Sequence, residues 1–306
     1  MPDLHHPERC RKLAFGIYQS NEIGCDVKIV KVERTGQTAE GLLEGDTVHV
    51  IGKWFNGPAE DAPFSLSKQT AEALAILRSG AHEAVPIASV TLAAPVDPSA
   101  KILCVGMNYH DHLGEIKQEV AANPTMFTRY IDSLVGHDGA IARPRVSKTF
   151  DFEGEIAVII GRTARHVSAS DALDYVGGYS CFLDGSVREY QQHSLTAGKN
   201  FWRSGAMGPW IVPAAEFSAA DPLLETHLNG AQVQLAHASQ MIFSIREVIA
   251  YCSRWTILRP GDVIATGTPG GVGSRREPPL WMKAGDRVSV TVEGIGTLSN
   301  PVVDEA

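Results

Sequence analysis

The sequence predicts a β-rich α+β fold rather than an alternating α/β fold. Short apolar runs with strand-like alternation recur along the chain, and many of the 29 glycines fall between them. No regular alternation of strand and helix is present, and a doubly wound parallel sheet would require one. The 306 residues, of which 44% are hydrophobic and 20% charged, are enough to bury a substantial core.

Charge and cysteine usage narrow the functional classes. A net charge of −8 argues against nucleic acid or an anionic membrane as the main partner. No run of eighteen apolar residues predicts a membrane span, and the first fifteen residues lack the apolar core of a secretory signal. The cysteines are odd in number and form no CxxC pair, which favours reduced thiols and a cytoplasmic protein: Cys10, Cys25, Cys104, Cys181 and Cys252.

The first part of the chain, residues 1–97, is predicted to form a small β-rich domain. Alternating apolar residues predict strands at 27–34 and 46–52, and the "GLLEGD" stretch between them is typical of a turn. A helix is expected at 67–80, ending at Gly80. The two prolines within 92–102 indicate a linker.

The second part, residues 98–306, is larger and opens with the short buried strand "KILCVG". Its periodicity predicts helices at 109–121, 169–175, 187–195 and 244–256. Strands are expected at 155–161, 177–184, 225–235, 262–267 and 287–293, and 270–281 is expected to be a loop.

Three carboxylates stand at the ends of predicted strands. Glu153 and Glu155 share one face of a strand, about 7 Å apart. Like charges so placed are either solvated or held by a cation. Asp184 ends another apolar run and supplies a third oxygen ligand of the kind that Mg²⁺, Mn²⁺ or Ca²⁺ prefers. The spacing alone leaves both explanations open.

A histidine and a glutamate lie three residues apart in the predicted helix 109–121. His112 and Glu115 would therefore share a helix face, where the carboxylate would orient the imidazole as a general base. The alternative is a surface pair worth a few tenths of a kcal/mol. The local sequence does not decide between them.

Three further polar residues are candidates for ligand contact. Lys199 lies between apolar stretches, where it would stabilise an oxyanion or stand solvated at the surface. Gln191 follows Asp184 by seven residues and would donate to a ligand or to nothing. Thr268 lies in a glycine-rich turn whose backbone N–H groups would suit a carboxylate, unless the turn is only a tight connection.

In their order and spacing, these segments resemble the fumarylacetoacetate hydrolase family. The segments are "GMNYHDHLGE", "DFEGEIAVIIGR", "FLDGSVREYQ", "GKNF", "GPWIV" and "RPGDVIATGTPGGVG", and "GDRVSVTVEGIGTL" extends the match toward the C-terminus. The resemblance implies a mixed β-sandwich roll behind a small N-terminal domain. It also implies a homodimer.

The resemblance further implies the roles of individual residues. Glu153, Glu155 and Asp184 would hold a divalent metal, most simply Mg²⁺, with Mn²⁺ or Ca²⁺ as alternatives. The implied catalytic residues are His112, Glu115 and Lys199, and the implied substrate contacts are Gln191 and Thr268. The chain departs from the family pattern at Leu183, Trp202, Arg203 and Arg129. Arg129 and Arg203 are candidates to bind a second acidic end of the substrate.

The expected activity is metal-assisted hydrolysis of a C–C bond. The substrate would be a small β-diketo 2-oxo acid, such as an acylpyruvate or fumarylpyruvate, in the breakdown of aromatic compounds. Decarboxylation, isomerisation or hydration of a related acid, such as oxaloacetate or a 2-hydroxymuconate, would use the same site. A metal-binding protein without catalytic activity is the remaining alternative, and the H-x-x-E pair argues against it.

Overall fold

A computed structural model describes residues 27–64, 75–77, 79–80, 82–111 and 120–306. Its first strands are β1 (Lys28–Arg34), β2 (Gln37–Glu44), β3 (Thr47–Asn56), β4 (Glu83–Pro86) and β5 (Thr91–Ala93). The predicted strands 27–34 and 46–52 are confirmed as β1 and β3. The turn predicted at "GLLEGD" is wrong for its first four residues, which end β2, because Leu42 and Leu43 are both buried. Residues 75–77 and 79 of the helix expected at 67–80 are helical, and most of its other residues lie outside the described ranges.

The larger part of the chain contains fourteen described strands and three described α-helices. The strands are β6 (Ile102–Gly106), β7 (Thr125–Arg129), β8 (Leu134–Val135), β9 (Ile141–Arg143), β10 (Phe150–Asp151), β11 (Gly154–Ile160), β12 (Val176–Leu183), β13 (Ser186–Val187), β14 (Gly205–Pro213), β15 (Leu223–Leu228), β16 (Ala231–His237), β17 (Val263–Ala265), β18 (Arg287–Val292) and β19 (Gly296–Asp304). The α-helices are α1 (Arg188–Gln191), α2 (Leu195–Lys199) and α3 (Ile245–Trp255). Short 3₁₀ helices lie at Ile87–Ser89, Ile131–Ser133, Ala172–Tyr175, Ala238–Gln240 and Gly273–Arg275.

Two predicted elements are divided in the structure. The strand expected at 225–235 is instead the hairpin β15–β16, turning at Asn229 and Gly230, whose φ angles are 53° and 80°. Both residue types tolerate this left-handed region, so the chain reverses there. The helix expected at 187–195 stops at Gln191, and a new helix starts after Ser194, whose side chain accepts from the N–H of Ala197.

The remaining helix predictions have mixed outcomes. The helix expected at 244–256 is α3, which Ser244 and Glu247 begin with a reciprocal capping box. The region 169–175 contains only the 3₁₀ turn Ala172–Tyr175. Residues 112–119, which make up most of the helix expected at 109–121, lie outside the described residues.

The described strands form two main sheets. The larger sheet has twelve strands, ten of them in the order β4-β3-β2-β1-β14-β12-β11-β17-β6-β7, with β5 beside β1 and β8 beside β14. The second sheet has the order β16-β15-β18-β19-β9, and a separate pair joins β10 to β13. Strands β18 and β19 pack against β12 and β14, which makes a sandwich. The predicted β-rich α+β class is confirmed.

The N-terminal strands continue into the larger sheet. Strand β1 pairs with β14 at Ile29 and Ile211. The division of the chain at residues 97 and 98 therefore stays a prediction. No helix among the described residues is both long and apolar enough to cross a membrane.

Strand β11 lies at the centre of the core, because all seven of its residues are buried. Ile156 and Val158 face the apolar cluster between the two sheets, while Ala157 and Ile159 face a second cluster. Because both faces of this strand are covered, the residue just before it also lies at a buried position, at the end of the strand. Glu153 is the residue that directly precedes it.

Candidate active site

The three carboxylates predicted as metal ligands meet at one edge of the larger sheet. Strand β11 begins where its antiparallel neighbour β12 ends, with Gly154 opposite Leu183. The N–H of Asp184 donates to the carbonyl oxygen of Glu153 at 2.8 Å. One carboxylate oxygen from each of Glu153, Glu155 and Asp184 lies within 4.8 Å of the others, and all three residues are buried. The register of two strands therefore assembles a compact group of oxygen donors.

The glycine between the two glutamates lets the sheets approach each other. A Cβ atom on Gly154 would lie 2.0 Å from the hydroxyl oxygen of Thr226 in β15. The N–H of Gly154 donates to the side-chain oxygen of Gln234 at 2.9 Å. Residue 154 must therefore lack a side chain if β11 is to present both carboxylates against the second sheet.

Three cations surround these carboxylates: Lys199 and Arg129 are buried, and the side chain of Arg188 is 21% exposed. Lys199, the last residue of α2, places its ammonium 2.5 Å from Oε2 of Glu153 and also contacts Oδ2 of Asp184. Arg129 lies 2.5 Å from the other oxygen of Asp184, and Arg188 lies 2.6 Å from the other oxygen of Glu153. Each of these two carboxylates is thus fixed at both oxygens.

A fourth carboxylate, which the sequence interpretation missed, supports the arrangement. Asp151 lies 2.7 Å from Arg188 and accepts the N–H groups of Gly273 at 2.7 Å and Ser274 at 3.0 Å. It ties the loop after β17 to the strand that leads into the site. The signal was present, because Asp151 continues the alternation of Glu153 and Glu155 along the chain.

Burial and neighbouring charge shift the pKa values in this cluster. The pKa of Glu155 is well above its usual range, because the carboxylate is buried and lies near the charge of Asp184. The N–H of Gly267, at 2.8 Å, acts in the opposite direction. Burial alone would lower the pKa of Lys199, but the carboxylates of Asp184 and Glu153 outweigh it and raise that pKa.

The residues present fit a divalent cation. Within the described part of the site, the carboxyl groups of residues 151, 153, 155 and 184, when all are ionised, outnumber the cations of residues 129, 188 and 199 by one negative charge. The donors are oxygen atoms alone, which suits a hard cation such as Mg²⁺. A divalent ion held by Glu153, Glu155 and Asp184 would reverse the sign of the local charge and favour an anionic substrate.

The buried polar atoms without a hydrogen-bond partner among the described residues include one each from Gln191, Tyr109 and Thr226 at the site. The amide nitrogen of Gln191 makes no hydrogen bond among the described residues, although its oxygen accepts from Arg188 at 3.0 Å. The hydroxyl of Tyr109 is also unpartnered there, and burial with the nearby charge of Glu155 raises its pKa. Buried donors without a partner are costly unless a ligand or water satisfies them. The sequence interpretation missed Tyr109.

The other predicted substrate contacts differ in their placement. Thr268 donates its hydroxyl to the carbonyl oxygen of Gly154 at 2.9 Å and accepts from Gln234 at 2.8 Å. Arg203 is exposed, stacks on Trp202 at 4.7 Å and lines a cavity of about 270 Å³ that none of the three carboxylates lines. Arg129 is completely buried beside Asp184. The structure therefore does not group Arg203 with the carboxylates.

The predicted dyad and two of the cysteines lie outside the described residues. His112 and Glu115 belong to the undescribed range 112–119, and Cys10 and Cys25 to 1–26. The described cysteines are free and buried, as the sequence predicts for reduced thiols: Cys104, Cys181 and Cys252. Burial raises the pKa of the Cys181 thiol to about 12, which keeps it protonated and unreactive.

Comparison with known proteins identifies the family. The family described as fumarylacetoacetate (FAA) hydrolase C-terminal matches residues 101–303. The chain is 38% identical over 225 residues to an oxaloacetate tautomerase of Rattus norvegicus named Fahd2a, mitochondrial, covering 72% of this chain and 71% of that protein. It is also 38% identical over 223 residues to the oxaloacetate tautomerase YisK of Bacillus subtilis, covering 71% and 74%.

A solved structure supports the same assignment. The fumarylacetoacetate hydrolase of Exiguobacterium antarcticum superimposes with a TM-score of 0.75 at 31% identity, covering 92% of this chain and all of that one. The matched range contains every described residue of the carboxylate and cation cluster. The chain therefore belongs to the fumarylacetoacetate hydrolase family of enzymes.

Proposed function

We propose that this enzyme interconverts the keto and enol forms of a small 2-oxo dicarboxylic acid of the oxaloacetate class. The proposal depends on one structural observation, the buried ammonium of Lys199 held between Glu153 and Asp184. A positive group fixed beside a metal-type carboxylate cluster suits a substrate that develops an enolate oxygen. The names of the rat and Bacillus relatives favour oxaloacetate as the member of this class to test first.

Enolisation requires a proton to leave C3 while negative charge grows on the oxygen at C2. Lys199 would stabilise that oxygen, and its own pKa, raised by Asp184 and Glu153 against the effect of burial, keeps it protonated at neutral pH. The unpartnered amide nitrogen of Gln191 would donate to a substrate carboxylate and so fix the orientation of the acid. Both contacts use donors that the protein already holds in place.

The chain's own base for the C3 proton would be His112, oriented by Glu115, as the H-x-x-E spacing suggests. A divalent cation, Mg²⁺ in our proposal, would be held by Glu153, Glu155 and Asp184 and would supply Lewis-acid polarisation of the 2-oxo group. Mn²⁺ and Ca²⁺ are the alternatives to compare. A homodimer in the cytoplasm remains our expectation for the assembled enzyme.

Hydrolysis of a C–C bond in an acylpyruvate is the second candidate reaction. Its support is the solved fumarylacetoacetate hydrolase at 31% identity, whose whole length this chain covers. Hydrolysis would use the same stabilised enolate, but as a leaving group after His112 activates a water molecule. The two reactions therefore differ in their products and not in the residues that bind the acid.

A product-resolved assay separates the candidates. Purified enzyme with Mg²⁺ would be mixed with the enol form of oxaloacetate, and the loss of enol absorbance would be compared with the uncatalysed rate in the same buffer. NMR of the same samples would detect pyruvate from decarboxylation, and a parallel reaction with acetylpyruvate would detect acetate from hydrolysis. We expect accelerated loss of the enol with conservation of oxaloacetate.

Matched variants make the assay specific to the site. Glu153→Gln should abolish the acceleration, whereas Glu277→Gln, the same change at an exposed loop glutamate, should leave it intact. Release of acetate without acceleration of oxaloacetate enol loss would reject the tautomerase in favour of the hydrolase. Full activity of Glu153→Gln would reject the carboxylate site itself.

A further inference from the structure

Arg129 is built into the protein rather than presented to a ligand. Its side chain has 0% exposure, and Nη1 lies 2.5 Å from Oδ1 of Asp184 and 3.1 Å from the carbonyl oxygen of Gly185. Nε donates to the hydroxyl of Ser133 at 3.1 Å, while Nη2 donates to the carbonyl oxygen of Ser133 at 3.3 Å and the hydroxyl of Ser204 at 2.8 Å. These five bonds use all five N–H groups of a guanidinium.

The surrounding backbone leaves space for this planar group. A Cβ atom on Gly205 would lie 2.7 Å from Nη2 of Arg129 and 2.9 Å from its Cζ atom. A Cβ atom on Gly185 would lie 1.8 Å from the carbonyl oxygen of Ser204. Two glycines thus allow the chain after Asp184 and the start of β14 to close around the guanidinium.

The two oxygens of Asp184 have different partners. Arg129 holds Oδ1, and Lys199 contacts Oδ2. Arg129 also bonds the carbonyl oxygen of the next residue, Gly185, so it fixes both the carboxylate and the backbone that carries it. Residues that orient a metal ligand in this way commonly affect metal affinity without touching the metal.

We infer that Arg129 is a positioning residue that sets the orientation of Asp184 for cation binding, instead of a binding site for a second substrate carboxylate. The inference rests on the metal site of the proposed function. In this chain a guanidinium suits that role, because its rigid fork reaches Asp184, Gly185, Ser133 and Ser204 together. Lysine has the same charge but only three donors on a single nitrogen, so it cannot hold that set.

The test measures Mn²⁺ binding directly, by the EPR signal of the free ion, on enzyme first stripped with EDTA. Arg129→Lys keeps the charge and removes the fork, and we expect its dissociation constant for Mn²⁺ to rise by about 10- to 100-fold. Ser204→Ala keeps Arg129 and removes one of its acceptors, so a smaller rise in the same direction is expected. Arg143→Lys, at an ion pair with Asp304 where Arg143 is one-third exposed, is the matched control and should bind Mn²⁺ normally.

Each outcome identifies which idea fails. Wild-type binding that is lost in Glu153→Gln but unchanged in both Arg129→Lys and Ser204→Ala would overturn the inference and leave the metal site standing. An Arg129→Lys enzyme with normal Mn²⁺ affinity and a raised KM for oxaloacetate would overturn it in favour of substrate binding. No Mn²⁺ binding by the wild type would overturn the metal site and the inference together. If Arg129→Lys does not fold, Ser204→Ala decides.

Discussion

Two buried lysines, one in strand β1 and one at the end of helix α2, differ in what surrounds the ammonium group. Lys31 in β1 donates to the carbonyl oxygen of Val96 at 3.0 Å and lies 5.9 Å from the ring centre of Phe64. Lys199 in α2 lies between the carboxylates of Glu153 and Asp184. Burial lowers the pKa of Lys31 to about 8, despite the nearby charge of Asp97. The pKa of Lys199 is raised instead, because its two carboxylates outweigh the burial.

This difference predicts that the charge of Lys31 lowers the stability of the folded protein, whereas the charge of Lys199 raises it. A buried ammonium bonded to a carbonyl oxygen loses hydration that the bond replaces only in part. An ammonium between two carboxylates also balances charges that would repel each other without it. Removing each lysine should therefore have opposite consequences, and the predictions below test this from the largest expected effect to the smallest.

Replacement of Lys199 by methionine should have the largest effect. Without the ammonium, only Arg129 and Arg188 oppose the buried carboxylates of the site, so the free energy of unfolding in EDTA should fall by about 3–5 kcal/mol. Turnover should fall by about 10²- to 10³-fold, because the enolate loses its donor. Urea denaturation and the enol assay would measure the two effects.

Two controls accompany Lys199→Met: the same substitution at an exposed lysine, and the addition of a divalent metal ion. Lys148→Met, at an exposed lysine, should change neither the stability nor the rate. Added Mn²⁺ should restore part of the stability of Lys199→Met, since a divalent cation bound to the carboxylates stabilises the folded state by mass action. A Lys199→Met enzyme as stable in EDTA as the wild type would contradict this account of the cluster.

Lys31 should make stability rise with pH in the alkaline range. Its pKa is about 8 in the folded protein against 10.5 for an ordinary lysine, so the folded state binds fewer protons between these values. Stability from this group is therefore complete above pH 10.5 and is lost as the pH falls through 8. The full difference corresponds to about 3 kcal/mol. Urea denaturation of the wild type and Lys31→Met at intervals from pH 7 to pH 10 would measure it.

The difference in the free energy of unfolding between the wild type and Lys31→Met removes the contribution of other groups that titrate in the same pH range. The wild type should gain stability relative to Lys31→Met as the pH rises, and the enol assay at pH 7 should give equal rates for both. Lys53→Met, at an exposed lysine, provides the curve expected without a buried amine. A constant difference across the pH range would show that Lys31 keeps an ordinary pKa.

The sequence predicted the carboxylates more completely than the groups that hold them. Glu153, Glu155 and Asp184 stand at the ends of apolar runs, and strand alternation indicates their common edge. Arg188 and Asp151 were not predicted as partners, because their contact requires the pairing of β10 with β13, which joins segments that are distant in the chain. Such long-range register is not encoded in local periodicity.

The hairpin β15–β16 shows a different kind of miss. Asn229 and Gly230 form the Asn-Gly pair that favours a two-residue turn, yet the apolar alternation on either side suggested one continuous strand. The hairpin places Thr226 against Gly154 and Gln234 against Thr268. The hairpin that supports the site therefore depends on a turn that the local sequence indicates. It also depends on a contact between sheets that the local sequence does not indicate.

Replacement of Gly154 by alanine should lower stability by an intermediate amount and should also weaken metal binding at the carboxylates near Lys199. The new Cβ atom would lie 2.0 Å from the hydroxyl oxygen of Thr226 and 3.3 Å from a methyl group of Val290, so the strand must move. Overpacking of this kind costs about 1–3 kcal/mol. The displacement of Glu153 and Glu155 should also weaken Mn²⁺ binding, measured by EPR.

Gly106→Ala is the matched control for this change. The nearest atom to its Cβ would be 3.7 Å away, an ordinary van der Waals contact. Its stability and its Mn²⁺ affinity should stay close to those of the wild type. If Gly154→Ala binds Mn²⁺ as the wild type does, the close approach of β11 to β15 is not needed to place the carboxylates.

A third lysine should show the smallest effect, although its ion pair is as short as that of Lys199. Lys101 lies 2.5 Å from Asp262, with 31% of its side chain exposed. Asp262 also accepts the backbone N–H groups of Lys101 at 2.9 Å and Arg259 at 2.7 Å, and Lys101→Met leaves both in place. We therefore expect a loss of about 1 kcal/mol or less, falling further in 1 M salt, by urea denaturation at pH 7. A loss as large as that of Lys199→Met would show that ion-pair distance, rather than the number of buried carboxylates that lose a cation, decides what a lysine contributes.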